Sequence, residues 1–404
     1  MNSIFKYHLI TIIISLFFLF RRYKNDPYNF LLNYNTYLLV FAVLYFSLPS
    51  MINLSTMMSP VTTSEDTIIF SSKVGLYFHL IFLLGFLMTN NLKHNSLKKV
   101  YLTKNSLIIV SFSGFIISLY MFLLIMINLD YIISIYGNRR LQANFDQLLN
   151  TKYKIYFLYN YLVIVTSFLV LTTKKIKYLL LSLPFLLLAI LISDRDFLLK
   201  GFLLLVILYT IIGHKIKGKY LVFFPALLVA VGLLRGGFFD STRFLIQSSS
   251  EFLFTWSTTH LIIESPDKMD VLTALSFSLY KVTLPGVYEF LFGEYKHYHE
   301  IITVNNPLIA GLGGSVVSEA LSFKNNFITV VMPFAIIFYG FTMNKLLRLK
   351  FYSGKIIFIL SILLMHSVIR FTFLENAFYP VFLIWFFGFW VIWIDFKSLN
   401  KNNG

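Results

Sequence analysis

The chain has 404 residues, of which 57% are hydrophobic and 13% are charged, and its mean hydropathy is +0.75. A soluble globular domain carries roughly twice that share of charge, so the composition excludes an ordinary soluble domain and indicates a polytopic membrane protein. The chain contains no cysteine, which excludes disulfides, cysteine-ligated zinc and cysteine nucleophiles.

Apolar runs long enough to cross a hydrocarbon core of about 30 Å recur along the chain. They predict about 11 transmembrane helices (10–12), at residues 4–20, 35–54, 74–89, 106–129, 155–172, 178–193, 201–213, 220–234, 327–344, 356–370 and 377–395. Arg21 and Arg22 follow the first run in place of a small-residue cleavage site, so it is expected to be a retained helix. The predicted fold class is an all-α polytopic membrane protein.

The connections between these runs alternate in charge. One set is short and rich in lysine, so the positive-inside rule places it in the cytoplasm. The other set holds 16 of the 18 acidic residues and comprises residues 55–73, 130–154, 194–200, 235–326 and 371–376. This pattern predicts an outer N-terminus and a cytoplasmic C-terminus. The net charge of +16 is then a topology signal, and no nucleic-acid partner is expected.

The chain divides into three segments: residues 1–234 with eight predicted helices, a long outer region at 235–326, and residues 327–404 with the last three helices and a tail. Within the outer region, serine and threonine alternate with apolar residues at helical spacing over 241–264. That pattern predicts an amphipathic helix on the outer membrane surface. Residues 271–291 are apolar but contain Lys281 and a Pro-Gly pair, which favours an interfacial or re-entrant segment.

Arginine is concentrated on the predicted outer side, which carries six of the nine: Arg139, Arg140, Arg195, Arg235, Arg243 and Arg370. A guanidinium group grips phosphate in a bidentate way, so the outer face is expected to hold a phosphate-bearing ligand. The alternative is that these arginines pair with outer carboxylates. In "SDRDFLLKG" (193–201), Asp194 or Asp196 is also a candidate helix cap.

The stretch "GLGGSVVSEA" (311–320) places one carboxylate beside a glycine-rich turn. Glu319 is a candidate general base or sugar clamp, and the alternative is a carboxylate that caps or pairs within a turn. The neighbouring residues would supply tight turns, close backbone approach and a hydroxyl: Gly311, Gly313, Gly314 and Ser315.

The histidines suggest one further base and no metal site. His260 lies at the end of the predicted amphipathic segment and is an alternative base. His79 and His366 lie inside apolar spans, where hydrogen bonds to neighbouring helices are expected. The stretch "EYKHYHE" (294–300) lacks a third anchoring ligand, so neither a metal nor another cofactor is expected.

These features together resemble the Wzy-type O-antigen polymerase family. The resemblance covers the organisation of the whole chain: about eleven spans, outer arginines and one long outer region late in the sequence. Two short motifs are similar to family features, namely "SDRDFLLKGFLLLVIL" (193–208), with an arginine before a short helix, and "GLGGSVVSEA" (311–320) before a late span.

The resemblance implies a glycosyltransferase that joins undecaprenyl-diphosphate-linked repeat units at the outer face of the bacterial inner membrane. In that reaction, Arg195 and Arg235 would hold one diphosphate, Arg139 or Arg140 the second lipid, and Arg243 is a further candidate diphosphate ligand. Glu319 is the preferred base, ahead of His260 and Asp194. Expected partners are the lipid-linked oligosaccharide, membrane lipid, a chain-length regulator and a flippase.

Three other activities fit a chain of this size and composition. A flippase for the same lipid-linked unit would need polar residues within the spans, which are nearly devoid of charge here. An O-antigen ligase would share the architecture. A glycosyltransferase that uses a lipid-monophosphate sugar would place an acidic pair in its first outer loop, where Glu65 and Asp66 lie.

Overall fold

The computed structural model describes a chain that is almost entirely helical. The described residues are 2–56, 59, 63–89, 104–135, 141, 144–145, 148–149, 152–192, 195–214, 216, 253, 255–266, 268–270, 276, 279, 287–293, 314–370 and 372–400. Within this part of the chain, the β-structure is an isolated parallel bridge between Met269 and Phe323. The structure therefore confirms an all-α membrane protein.

The helices follow one another in chain order with short breaks. Their bounds are α1 Asn2–Asn25, α2 Pro27–Leu31, α3 Tyr34–Ala42, a π-helical segment Val43–Ser47, α4 Leu48–Thr56, α5 Glu65–Met88, α6 Lys104–Ile127, α7 Leu129–Ser134, α8 Ile155–Thr173, a 3₁₀ segment Ile176–Ser182, α9 Leu183–Leu191, α10 Arg195–Ile211, α11 at 255–264, α12 Val287–Phe292, α13 Val316–Leu321, α14 Asn326–Arg348, α15 Tyr352–Leu363, α16 Met365–Arg370, α17 Phe373–Ala377, α18 Tyr379–Phe387 and α19 Phe389–Asn400.

Six of the described helices are long and apolar enough to cross a membrane: Ser3–Asn25, Tyr34–Thr56, Glu65–Met88, Asn105–Ile127, Ile155–Thr173 and Asn326–Arg348. The pair Phe373–Phe387 and Phe389–Lys397, bent by 74°, makes a seventh if it is one span. Three shorter apolar helices lie where spans are predicted: Ile176–Leu191, Phe197–Ile211 and Tyr352–Leu363. The span predicted at 220–234 lies outside the described residues.

The polarity of α1 is reversed relative to a helix of a soluble protein. His8, Thr11 and Ser15 are buried, whereas Phe17 and Phe20 on the same helix are more than half exposed. Such a surface is stable when lipid covers it, because lipid offers polar groups no hydrogen bonds and apolar groups no penalty.

The chain forms two compact units that are interleaved in sequence. Unit 1 comprises Met1–Lys93, Ser249–Lys345 and Leu364–Pro380, and unit 2 comprises His94–Ser248, Leu346–Leu363 and Val381–Gly404. In unit 1, α1 and α5 run parallel with a constant offset of 64 residues. His8 contacts Ser72, Ser15 contacts His79, and Arg22 contacts Phe86. This seven-residue spacing keeps one face of α1 against α5.

Short polar caps determine where the helices of unit 1 begin. Asn33 and Ser64 accept hydrogen bonds from the first turns of α3 and α5. Ser315 and Ser318 form a reciprocal capping box at the start of α13. These caps satisfy backbone N–H groups that have no partner inside their own helix.

Candidate functional site

The candidate site lies in unit 1, where segments far apart in sequence meet. Glu264 on α11 accepts hydrogen bonds from Thr63 Oγ1 at 2.5 Å and Ser64 N at 2.9 Å, just before α5 begins. Thr259 Oγ1 lies 3.5 Å from Ser315 Oγ, which joins α11 to the start of α13. Ser59, Thr63, Ser64, α11, α13 and the start of α17 therefore form one polar cluster, called here the carboxylate end of unit 1.

Glu319 is a deeply buried carboxylate of this end, with 1% of its surface exposed. Phe373 N donates to its Oε2 at 2.6 Å and Leu374 N donates to its Oε1 at 3.3 Å. The side chain therefore caps the N-terminus of α17, which is the capping alternative weighed from the sequence. Burial raises the pKa of Glu319 to about 8, and nearby Glu375 adds to that rise while the two N–H groups oppose it.

His260 is completely buried on α11, and its two ring nitrogens have different surroundings. Its Nδ1 lies 2.9 Å from Ser59 Oγ, whereas its Nε2 has no hydrogen-bond partner among the described residues. Burial lowers the pKa of His260 to about 4, although the charge of Glu264 opposes this shift. The imidazole is therefore neutral at physiological pH, with one ring nitrogen that has no described partner.

Glu264 remains ionised at this end of the unit. Partial burial would raise its pKa, but hydrogen bonds from Thr63, Ser64 and Thr67 together with His260 outweigh that effect and lower it. Glu65 and Asp66 are exposed in the first turn of α5, where acidic side chains favour the helix dipole. Within the described part of the chain, no group of three His, Cys, Asp or Glu side chains could hold a metal ion.

The predicted surface helix over 241–264 is wrong in its described part. Thr255, Trp256, Ser257, Thr258, Thr259 and His260 are all buried. Added to Gly75, a Cβ atom would lie 2.6 Å from the Trp256 ring, so α11 reaches α5 about 15 Å from its start at Glu65. Helix α11 thus enters the helix bundle, and hydroxyls that the sequence pattern assigned to a solvent face lie inside it.

The structure brings together only some of the predicted site residues. Glu319, Ser315, Gly314 and His260 belong to the carboxylate end, and Gly314 and Ser315 are buried there. Arg195 is the first residue of α10 in unit 2, but its side chain lies outside the described part. The remaining predicted residues fall on undescribed positions: Arg139, Arg140, Asp194, Arg235, Arg243, Gly311 and Gly313.

Two polar contact sets were not anticipated from the sequence. His8, Ser15 and Arg22 follow one another at seven-residue intervals along α1, which is the signal that a repeat search within the first span would have found. Trp256, His260 and Glu264 follow one another at four-residue intervals and share one face of α11. The prediction that His79 and His366 bond to neighbouring helices is confirmed, since His79 contacts Ser15 and His366 contacts Tyr45.

Comparisons with known proteins add no relative to this picture. No protein-family model, curated protein or solved structure matches the chain.

Proposed function

We propose that this chain polymerises lipid-linked saccharide repeat units, joining undecaprenyl-diphosphate-linked oligosaccharides at the outer face of the bacterial cytoplasmic membrane. The observation that carries the proposal is the carboxylate end, where the buried carboxyl group of Glu319 and the His260 imidazole, with one ring nitrogen that has no described partner, lie on helices joined by the Thr259–Ser315 contact. A lipid-anchored saccharide would present its hydroxyls and its diphosphate at this depth, next to the membrane boundary.

The chemistry is glycosyl transfer from a diphosphate leaving group. The bond between the donor sugar and diphosphate breaks, a bond forms to an acceptor hydroxyl, and a base takes up the hydroxyl proton. His260 Nε2 suits that role better than Glu319, because both carboxyl oxygens of Glu319 already accept backbone hydrogen bonds. Glu319 then positions α17, while Arg195 and the other outer arginines are the proposed diphosphate ligands.

The proposed topology has eleven spans, a periplasmic N-terminus and a cytoplasmic C-terminus. Contacts within unit 1 support it, since segments assigned to the same side meet one another. Ser59, Thr63, Ser64, α11, α13 and the start of α17 are joined by hydrogen bonds, and all were assigned outside. Arg22 contacts Thr89 at the opposite end of α5, beside two lysine-rich connections that were assigned inside.

A flippase for the same lipid-linked unit is the second candidate, and one observation favours it. His8, Ser47, His79 and Ser15 form a buried hydrogen-bonded chain inside the spans of unit 1. Polar groups at such depth are costly and often line a transport path. The sequence-based argument that the spans carry almost no charge does not exclude a path of neutral side chains.

A surface-polysaccharide gel from a deletion strain tests the proposal. For a polymerase, deletion should collapse the ladder to core plus one repeat unit, and the intact gene should restore it. If no repeat-unit band appears at all, the proposal is overturned in favour of export, ligation or unit assembly.

Complementing variants test the residues at comparable membrane abundance. His260→Ala should shorten or abolish the ladder, whereas His214→Ala, at an exposed histidine in unit 2, should leave it intact. A full ladder with His260→Ala would remove His260 as the base.

A further inference from the structure

The buried polar chain in unit 1 has a single direction. His8 Nε2 lies 3.0 Å from the Ser72 carbonyl oxygen, which can only accept, so His8 carries its proton on Nε2. The neutral ring then accepts from Ser47 Oγ through Nδ1, at 2.9 Å. Ser47 Oγ in turn accepts from His79 Nδ1 at 2.5 Å, and His79 Nε2 accepts from Ser15 Oγ at 2.9 Å. The two histidines are thus assigned opposite tautomers.

We call the hydrogen-bonded series His8, Ser47, His79 and Ser15 the histidine chain. Next to its Ser47 lies a series of buried polar atoms that have no described partner. Ser47, Ser50 and Asn53 recur every three residues on one face of the π-helical segment and α4. Among the described residues, no partner exists for Ser50 Oγ, Asn53 Nδ2, Thr255 Oγ1, Trp256 Nε1 and His260 Nε2. An unpaired buried polar atom costs roughly 1–3 kcal/mol, and ordered water is its usual partner.

These unpartnered atoms lie on elements that run side by side. A Cβ atom added to Gly75 would lie 3.4 Å from Ser50 Oγ and 2.6 Å from the Trp256 ring, so Ser50 and Trp256 approach the same point of α5. Further along, His260 contacts Ser59, and Glu264 contacts Ser64 at the start of α5. We call Ser50, Asn53, Ser59, Trp256, His260 and Glu264 the polar column. It extends from the start of α5 to the level of the histidine chain.

On the opposite side of the histidine chain, an apolar cluster separates it from buried atoms that have no described partner at the other end of unit 1: Arg22 Nε, Asn33 Nδ2, Tyr34 Oη, Asn35 Oδ1 and Thr36 Oγ1. Leu19, Leu39, Leu83 and Phe86 form a buried apolar cluster. Leu19 is one turn beyond Ser15 on α1, and Leu83 is one turn beyond His79 on α5. Water that entered along the polar column would therefore stop at the histidines.

We propose that His8 and His79 form a proton-binding site that is reached through water in the polar column from the carboxylate end only. A proton that water in the column delivers to Ser47 Oγ forms a new O–H bond there, while the Ser47 hydroxyl proton passes to His8 Nδ1 and makes His8 an imidazolium. One O–H bond of the hydronium ion and one of Ser47 break, and one bond on Ser47 Oγ and one on His8 Nδ1 form, so the step leaves a neutral water molecule. His79 keeps Ser47 in position through its Nδ1 proton. This site is independent of the proposed glycosyl transfer.

The other titratable groups on the packed elements make no described hydrogen bond to His8 or His79. The buried ones are Tyr34, Tyr45, His260, Glu319, His366 and Glu375. Lys6, Glu65, Asp66, Lys73 and Glu264 are exposed, and Arg22 bonds to backbone carbonyls at the far end of α5. Proton exchange at the histidine pair is therefore expected to follow the pH on the side of Glu264.

The chain has no cysteine, so single cysteines can be probed without background. Ser50→Cys and Asn53→Cys should react with a small, charged, membrane-impermeant thiosulfonate in right-side-out vesicles, and at least tenfold more slowly in inverted ones. Leu83→Cys in the apolar cluster and Leu80→Cys on the exposed face should stay unreactive from both sides. Equal unreactivity of Ser50→Cys and Leu80→Cys, or reactivity of Leu83→Cys, would overturn the one-sided path.

Solid-state ¹⁵N NMR of histidine-labelled protein in bilayers tests proton binding itself. The His8→Gln and His79→Gln spectra assign the two rings by difference. At alkaline pH the spectrum should show an Nε2–H tautomer for His8 and an Nδ1–H tautomer for His79, and acidification should produce an imidazolium signal at the pair. Rings that stay neutral down to pH 4, or that share one tautomer, would contradict the proposal even if the repeat-unit ladder depends on His260.

Discussion

At both ends of unit 1, side chains bind backbone groups at helix ends, but the side chains differ in type. At the carboxylate end, Glu264 and Glu319 bind backbone N–H groups where helices begin. At the other end, Arg22 binds the carbonyls of Phe86 and Thr89, and Asn344 bonds to Asn33 and to Tyr34 N. We call this second group, with Asn35, the amide end.

The difference lies in what each end can do with a proton. Burial brings the pKa of the Glu319 carboxyl close to physiological pH, and His260 presents a neutral imidazole that can take up a proton. Amides do not titrate and arginine stays protonated. Both ends are buried and hydrogen-bonded, so neither property identifies a site. The residue types do, and they favour chemistry at the carboxylate end and structural support at the amide end.

Among single substitutions, the largest expected effect is at the amide end, from Gly340→Val. A Cβ at Gly340 would lie 2.1 Å from Asn35 Oδ1, and moving Asn35 would break its bonds to Gly85 and Thr89. Such overpacking costs about 1–3 kcal/mol or more, so little folded protein should elute in detergent size-exclusion chromatography. Thr342→Val, at an exposed position on the same helix, should elute normally. Equal yields from the two variants would refute the close packing of α14 on α3.

Glu319→Ala should be the most damaging single change at the carboxylate end. It leaves the N–H groups of Phe373 and Leu374 without an acceptor, at a cost of roughly 1–3 kcal/mol. Glu319→Gln keeps an oxygen acceptor and should lose less, as measured by thermal unfolding in detergent. Lys324→Gln breaks only an exposed ion pair with Asp270 and serves as the control. Equally small losses of thermal stability in Glu319→Ala and Glu319→Gln would contradict the capping role.

The pH dependence of stability should also differ between the ends. Burial raises the pKa of Glu319 to about 8, so the folded state binds this proton more tightly than the unfolded chain does. Its contribution is complete below the unfolded pKa near 4.5 and is lost as pH rises through 8. The loss is on the order of 5 kcal/mol, at about 1.4 kcal/mol per pKa unit. Melting temperatures from pH 5 to 9 should fall in the parent and fall less in Glu319→Gln. Parallel curves would contradict the shift.

The smallest effect is expected from Arg22→Lys at the amide end. Lysine keeps the charge but loses the fork that reaches two carbonyls, as well as the stacking on the Phe86 ring at 5.0 Å. The expected loss is about 1 kcal/mol, seen as a small drop in melting temperature. Polysaccharide length should be unchanged. Arg21→Lys, at an exposed neighbour, should change neither quantity.

Hydropathy predicted most of the described helices, because length and apolar content alone decide whether a helix can cross lipid. It failed for α11, since serine and threonine can bond to their own helix, as Ser257 does to Leu253, and so tolerate burial. Glu319 stood out as a lone carboxylate beside glycines. Its partner on α17 could not be inferred, because Phe373 lies 54 residues later in the chain. The hydrogen bond between His8 and Ser72 also joins residues far apart in sequence, at a separation of 64, so it could not be inferred either.

The constant 64-residue offset between α1 and α5 has a consequence for biogenesis. Ribosomes deliver α1 first, so His8 and Ser15 meet the bilayer before Ser72 and His79 have been synthesised. The π-helical segment between α3 and α4 then supplies Ser47, which bonds to His8. The contacts between α1 and α5 are complete when the last turn of α5 meets Arg22. The first span is thus expected to stay beside the insertion machinery until the third has emerged. The three would then be released into the lipid together.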